Sequence, residues 1–194
     1  MKNALIIFVR NPVLGKVKTR LAKTMGDENA LKVYKALLLK TDETVKGLNC
    51  DKYIFYHGSI NHNDSWPASI YKKEVQVTGT LGEKMAAAAE QIFDKGYEKL
   101  LIIGSDCYAL TPEIVEEAFA KLSTAEVVIG PATDGGYYLI GQTRFIPALF
   151  TLKEWSTQEV MQDTLNICST QAITVYKLPT LSDVDEEKDI DFAY

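Results

Sequence analysis

The chain opens on a short apolar run, Ala4–Val9, closed by Arg10. A nearly continuous run of this kind predicts a strand buried on both faces, as in parallel sheets. Comparable stretches recur at KYIFYHG (52–58), KLLIIGSD (99–106), EVVIGPA (126–132), YYLIG (137–141) and AITVYKL (172–178). They are rich in β-branched and aromatic residues, and VQVTG (75–79) is a shorter candidate. Between them the period turns helical. Ala30, Val33, Leu37 and Leu38 share a face, with Asp27 placed to cap a helix starting near Glu28. Thr80 and Glu83 form a capping box ahead of the Ala-rich run Met85–Phe93. Thr111-Pro112-Glu113 combines an N-cap, Pro at the first helical position and an early acid. Gln158–Cys168 completes the set of helices. This alternation predicts an α/β fold with a mainly parallel sheet. With no repeat and no low-complexity linker, it reads as one domain over residues 1–194.

Composition narrows the function. A chain 46% hydrophobic and 24% charged is neither disordered, collagen-like nor a coiled coil. Lys plus Arg number 21 against 26 Asp plus Glu, a net charge of −5, so no basic face for nucleic acid is expected. No apolar run approaches the ~20 residues of a membrane span, and Ala4–Val9 falls short of a signal peptide, so a cytoplasmic protein is expected. Cys50, Cys107 and Cys168 are odd in number and far apart, which predicts reduced thiols rather than disulfides or a CxxC metal site.

Four stretches carry candidate chemistry. Directly after the first strand comes PVLGKVKTRL (12–21), and ligands of open α/β sheets bind beyond the carboxyl ends of strands. Gly15 frees the backbone, while Lys16, Lys18 and Arg20 place three cations where phosphates can be held. The stretch is neither a Walker A loop nor a dinucleotide loop, and a solvated basic turn is the plain alternative. Asp106, at the end of the buried run KLLIIGSD (99–106), suits a Mg²⁺ ligand or, more simply, a turn residue. Gly135-Gly136 after Asp134 reads first as a hairpin turn, with Tyr137 or Tyr138 able to face a sugar or base. Asp183 and Asp185, two apart on an extended chain, would point to one side and meet Asp106. Alternatively they belong to a solvated acidic tail, with Asp185 capping a last helix.

In this order the four stretches resemble one family. It is the small GT-A-like transferases of the radical-SAM/selenodomain-associated type, within the nucleotide-diphospho-sugar transferase superfamily. The matching residues are Pro12, Gly15, Lys18-Thr19-Arg20-Leu21, Leu81-Gly82-Glu83 with Met85, and Gly104-Ser105-Asp106. Gly130-Pro131, Asp134-Gly135-Gly136-Tyr137, Asp183-Val184-Asp185 and Asp189 continue the match. The resemblance implies a Rossmann-like GT-A fold and an enzyme that uses Mg²⁺ or Mn²⁺. Such an enzyme moves a glycosyl or nucleotidyl group from an NDP-sugar or NTP to a small acceptor. It also implies that Gly15, Lys16, Lys18, Thr19 and Arg20 hold the nucleotide phosphates. Asp106, Asp183 and Asp185 would serve as metal ligands, with Asp106 and Asp134 catalytic. Two positions depart from the pattern: Tyr108 replaces a customary Pro, and Gly104 leaves Asp106 without the first acid of an Asp-x-Asp pair. A nucleotide-binding module without catalysis, or a phosphate-releasing hydrolase, are the competing classes.

Overall fold

The computed structural model describes residues 2–151, 154–155 and 157–194. Its strands are β1 (Asn3–Arg10), β2 (Asp51–His57), β3 (Tyr71–Val75), β4 (Lys99–Ile103), β5 (Val127–Pro131), β6 (Tyr137–Gln142) and β7 (Val175–Lys177). Its α-helices are α1 (Thr19–Val45), α2 (Leu81–Asp94), α3 (Pro112–Lys121) and α4 (Val160–Thr170). The strands form one sheet in the order β3-β2-β1-β4-β6-β5-β7. All neighbouring strands run parallel except β6, which lies antiparallel between β4 and β5.

The apolar runs of β1 and β4 are buried because helices cover both faces of the sheet. Alternation assigns the side chains. Leu5, Ile7, Val9, Leu101 and Ile103 face one way, packing with Tyr34 and Leu38 of α1 and with Val115 and Phe119 of α3. Ala4, Ile6, Leu100 and Ile102 face the other, packing against Met85, Ala88, Ala89 and Ile92 of α2. Two lysines are buried where strands begin. Lys52 Nζ donates to the carbonyls of Leu48 (2.6 Å) and Cys50 (3.1 Å), just past the end of α1. Lys99 Nζ donates to Phe119 O at 2.9 Å and Ser123 Oγ at 2.7 Å, at the end of α3. Lys99 thus satisfies a carbonyl that the end of α3 leaves unpaired, and Lys52 ties down the loop that follows α1.

Three local expectations change. The first helix starts at Thr19 rather than near Glu28; Gly26 (φ 81°) kinks it, and the second segment resumes where Asp27 predicted a start. The strand expected over 75–79 lies instead at Tyr71–Val75. Tyr71 anchors it, edge-on to Trp66 at 4.9 Å and donating to Asp42 at 2.6 Å, whereas Val75 and Val77 are exposed. Thr111 occupies the N-cap of α3, but its hydroxyl makes no capping bond. The Thr80–Glu83 capping box forms in full. All three cysteines are free thiols.

Candidate functional site

The carboxyl ends of β1 and β4, the β5–β6 turn and the segment after β7 surround a cleft of ≈ 860 Å³. Lys16, Lys18, Thr19, Arg20, Asp106, Asp134, Asp183 and Asp185 all line it. Gly15 does not. It sits at φ 71° in the turn behind them, where a Cβ would press on the Asp27 carboxylate at 3.3 Å.

The loop after β1 is held by short backbone bonds, Val13 N to Asn11 O and Lys16 N to Val13 O. Val17 is buried, and Lys16 beside it is exposed. Lys18 stands at the N-cap of α1 in the left-handed region, φ 46° and ψ 47°. Its ammonium meets Asp106 Oδ1 at 2.7 Å, the Val184 carbonyl at 2.8 Å and Asp185 Oδ1 at 3.5 Å. Arg20 Nη1 meets Asp185 Oδ2 at 3.1 Å. Among the described residues Lys16 makes no ion pair. A phosphate here would meet these cations and the amide end of α1 together.

The carboxylates come from three segments. Asp106 follows β4 through Gly104-Ser105, and its carbonyl accepts the Val184 N–H at 2.9 Å. Val184 is buried with Leu21, Ala30, Val33 and Leu37 of α1, which leaves Asp183 and Asp185 on the cleft. Tyr108 belongs to the same packing, stacked on Phe192 at 3.7 Å. Asp185 does not cap the final turn. Glu186 does, and Asp189 accepts the Asp185 and Glu186 N–H groups. Asp134 lies in the β5–β6 hairpin turn and accepts the Gly136 N–H at 2.9 Å. Gly135 (φ 91°) lets that turn lie against the Gln158 backbone, where no Cβ fits.

Burial pushes the Asp183 carboxyl up to about 7, reinforced by Asp106 and Asp134 and opposed by Lys18. The carboxylates offer oxygen donors, which suit a hard divalent ion. Among the described residues no three acidic, His or Cys side chains form a complete metal cage. A Mg²⁺ here would take one or two carboxylates and complete its shell from phosphate and water.

Other lining residues escaped the sequence reading. Arg10 ends β1 opposite His57, which ends β2; Gln76 and Lys84 lie beside them on the cleft. Arg10 could have been found as the charge that closes the first apolar run. Gln76 carries no local signal. Tyr34 of α1 holds the Arg10 backbone, accepting from its N–H at 2.9 Å and donating to its carbonyl at 3.0 Å. On the far wall Tyr137 and Trp155 meet edge to face at 6.4 Å, and among the described residues the buried Tyr137 hydroxyl has no partner. Gly82 makes that wall possible, because a Cβ there would strike the Phe150 carbonyl and the Trp155 indole.

A family described as "Uncharacterized protein conserved in bacteria (DUF2064)" matches residues 40–157. The chain belongs to this family. Its fold is that of a nucleotide-diphospho-sugar transferase. A protein of Desulfovibrio desulfuricans G20, provisionally named a nucleotide-diphospho-sugar transferase, is 32% identical with TM-score 0.89, over 96% of this chain and 84% of that one. More distant structures share the fold alone. One is 4-diphosphocytidyl-2C-methyl-D-erythritol synthase of Anaerococcus prevotii DSM 20548, 9% identical, TM-score 0.61, over 97% of this chain and 92% of that one. Another is glucosyl-3-phosphoglycerate synthase of Mycobacterium tuberculosis, solved with Mg²⁺ and UDP. It is 10% identical, TM-score 0.57, over 94% of this chain and 70% of that one. No curated protein matches the chain. Among the described residues no helix is long and apolar enough to cross a membrane.

Proposed function

We propose that this chain is a metal-dependent transferase that binds an NTP or NDP-sugar and moves a nucleotidyl or glycosyl group to a small acceptor. One observation carries the reading. Three cations after β1 and four carboxylates from three other segments line the same cleft at the carboxyl edge of the sheet. Lys16, Lys18 and Arg20 hold the phosphates and stabilise the charge that develops on the leaving group. Asp106 and Asp183, with Asp185 beside them, would hold Mg²⁺ or Mn²⁺, which supplies charge neutralisation at the departing phosphate. In nucleotidyl transfer an acceptor phosphate attacks the α-phosphorus and pyrophosphate leaves. In glycosyl transfer the acceptor attacks the anomeric carbon and nucleoside diphosphate leaves; Asp134, exposed at the cleft, takes the acceptor's proton. The motif resemblance favours the radical-SAM/selenodomain-associated type. The free thiols favour work in the reducing cytoplasm.

The test is a thermal-shift panel of NTPs and NDP-sugars with and without Mg²⁺, followed by product analysis. A ligand at 100 times its Kd adds about 2.7 kcal/mol of stability. Metal-dependent release of pyrophosphate or nucleoside diphosphate with an acceptor is the expected result. Binding without release would identify a non-catalytic module. Inorganic phosphate released without an acceptor would identify a hydrolase.

A further inference from the structure

We propose that the free edge of β3 pairs with the same edge of a second copy of this chain, joining the two sheets across a two-fold axis at Lys73. The proposal is independent of the transferase reading above.

β3 is the last strand on its side of the sheet and, among the described residues, pairs with β2 alone. Its backbone shows which groups that edge presents. The Gln76 N–H just beyond β3 donates to Tyr56 O at 2.9 Å, so it turns towards β2. Backbone direction alternates along a strand, so the N–H and C=O groups of Lys73 and Val75 turn away from β2. Among the described residues they have no backbone partner there. The Tyr71 N–H, which also turns outward, is taken by Pro67 O at 3.0 Å, and its carbonyl stays open. The β2–β3 connection crosses the sheet face that α1 covers, where Trp66 is buried with Tyr56 and Tyr71, and leaves the edge itself uncovered. Val75 is accordingly 43% exposed and the Lys72 side chain 53%.

An open edge of this kind is a template for another strand, and lysines are the usual deterrent. Here one of the two is withdrawn. The Lys73 ammonium lies 2.6 Å from Asp64, with side chains only 12% and 8% exposed, and donates to Asn61 O at 3.0 Å. Lys72 remains, and it shares the opposite face of β3 with Glu74.

That pattern is self-complementary in one register. A two-fold axis runs the two edges antiparallel, and outward-turned residues must then face one another. Around the middle of the strand the axis can pass through Lys72, Lys73 or Glu74. At Lys72 it sets that lysine against itself, and at Glu74 it opposes two carboxylates. At Lys73 each Lys72 meets the Glu74 of the copy, the arrangement that stabilises a cross-strand pair. Lys73 exchanges both backbone bonds with its copy, and each Val75 N–H reaches the Tyr71 carbonyl left open. The exposed Val75 side chain comes against Tyr71 of the copy on the same face. Because the paired strands run in opposite directions, the two clefts open on opposite sides of the joined sheet, and each stays complete within its own chain.

Equilibrium sedimentation of the whole chain tests this. A five-residue edge buries less than the ~1,000 Å² of a lasting interface, so a reversible dimer with Kd between about 1 μM and 1 mM is expected. Glu74→Lys and Lys72→Glu should each weaken it about tenfold or more, because both cross-strand pairs become like-charged. Within the chain these side chains make only surface pairs, Glu74 with Lys95 and Lys72 with Asp51, so Tm should move by only a few degrees. An equimolar mixture of the two variants should recover the association, since every pair across the axis is again opposite in charge. A native chain that stays monomeric through that range would overturn the proposal. So would a dimer indifferent to both substitutions, or variants that dissociate without recovery on mixing.

Discussion

Lys18 combines two opposed contributions that substitution can separate. Its ammonium satisfies the Val184 carbonyl and neutralises Asp106 and Asp185, yet its backbone is held at φ 46°. The Lys18 side chain is 7% exposed, but Asp106 is 45% and Asp185 39% exposed, so water screens both carboxylates once the lysine is gone. Removing the side chain therefore costs about 2 kcal/mol, below the roughly 3–5 kcal/mol of a fully buried pair. Alanine keeps the left-handed backbone and bears that cost in full. Glycine occupies the same backbone region freely and recovers about 1 kcal/mol. Urea denaturation with a shared m-value should rank native above Lys18→Gly above Lys18→Ala, each step about 1 kcal/mol. Both variants should lose about tenfold or more in nucleotide affinity, the worth of one charge-assisted contact. If Lys18→Ala proved as stable as Lys18→Gly, the strain argument would fail. If both matched the native chain, the ion pair would contribute nothing to the fold.

Asp106→Asn keeps the shape and the backbone bond to Val184, so Mg²⁺-dependent product formation should be lost while Tm moves by only a few degrees; near-native turnover would refute the metal role. Gly82→Ala drives a methyl into the Phe150 carbonyl and the Trp155 indole; we expect a loss of about 2–3 kcal/mol and a changed tryptophan emission, read together in a denaturant melt. Asp183 gives a pH signature. Its carboxyl rises from an ordinary 3.8 to about 7 on folding, so the folded chain holds the extra proton between those values, and stability falls as pH rises through that window. In metal-free buffer, urea midpoints at roughly pH 5 and pH 8 should show a drop that Asp183→Asn diminishes, worth about 1 kcal/mol or more.

The central strands were legible because burial on both faces leaves no polar position to confuse the pattern: Ala4–Val9 and Leu100–Ile103 are apolar throughout. The hairpin at Asp134–Gly136 and the capping box at Thr80 were legible for a different reason, since their chemistry is local to a few residues. That hairpin sets β6 antiparallel to β5, but the insertion of β6 between β5 and β4 was not legible, because it depends on a partner far along the chain. Nor was the edge strand at Tyr71–Val75, whose position is set by Trp66 and Asp42 rather than by its own alternation. The same division holds at the cleft. Lys16, Lys18 and Arg20 declare themselves by crowding, and Asp106 by following a buried strand. Gln76 is an ordinary polar residue until the ends of β1 and β2 supply the carbonyls that hold it.

The segment around Val184 has a further consequence for how the protein comes to exist as it is synthesised. Chains emerge amino end first at about 5–20 residues per second. β1 finds β2 early, waits for residue 99 before its other edge is covered, and only then does Asp106 gain a fixed place. Asp183 and Asp185 arrive some eighty residues later, delivered when Val184 docks on α1 and its amide binds the Asp106 carbonyl. Until that moment a nascent chain presents the cations with Asp106 and Asp134 but without Asp183 and Asp185. A ribosome-stalled or proteolytically clipped product ending near residue 180 would retain all seven strands yet hold phosphate without the late acids. On the transferase reading proposed above, the segment after β7 separates a chain that can capture a nucleotide from one equipped to act on it.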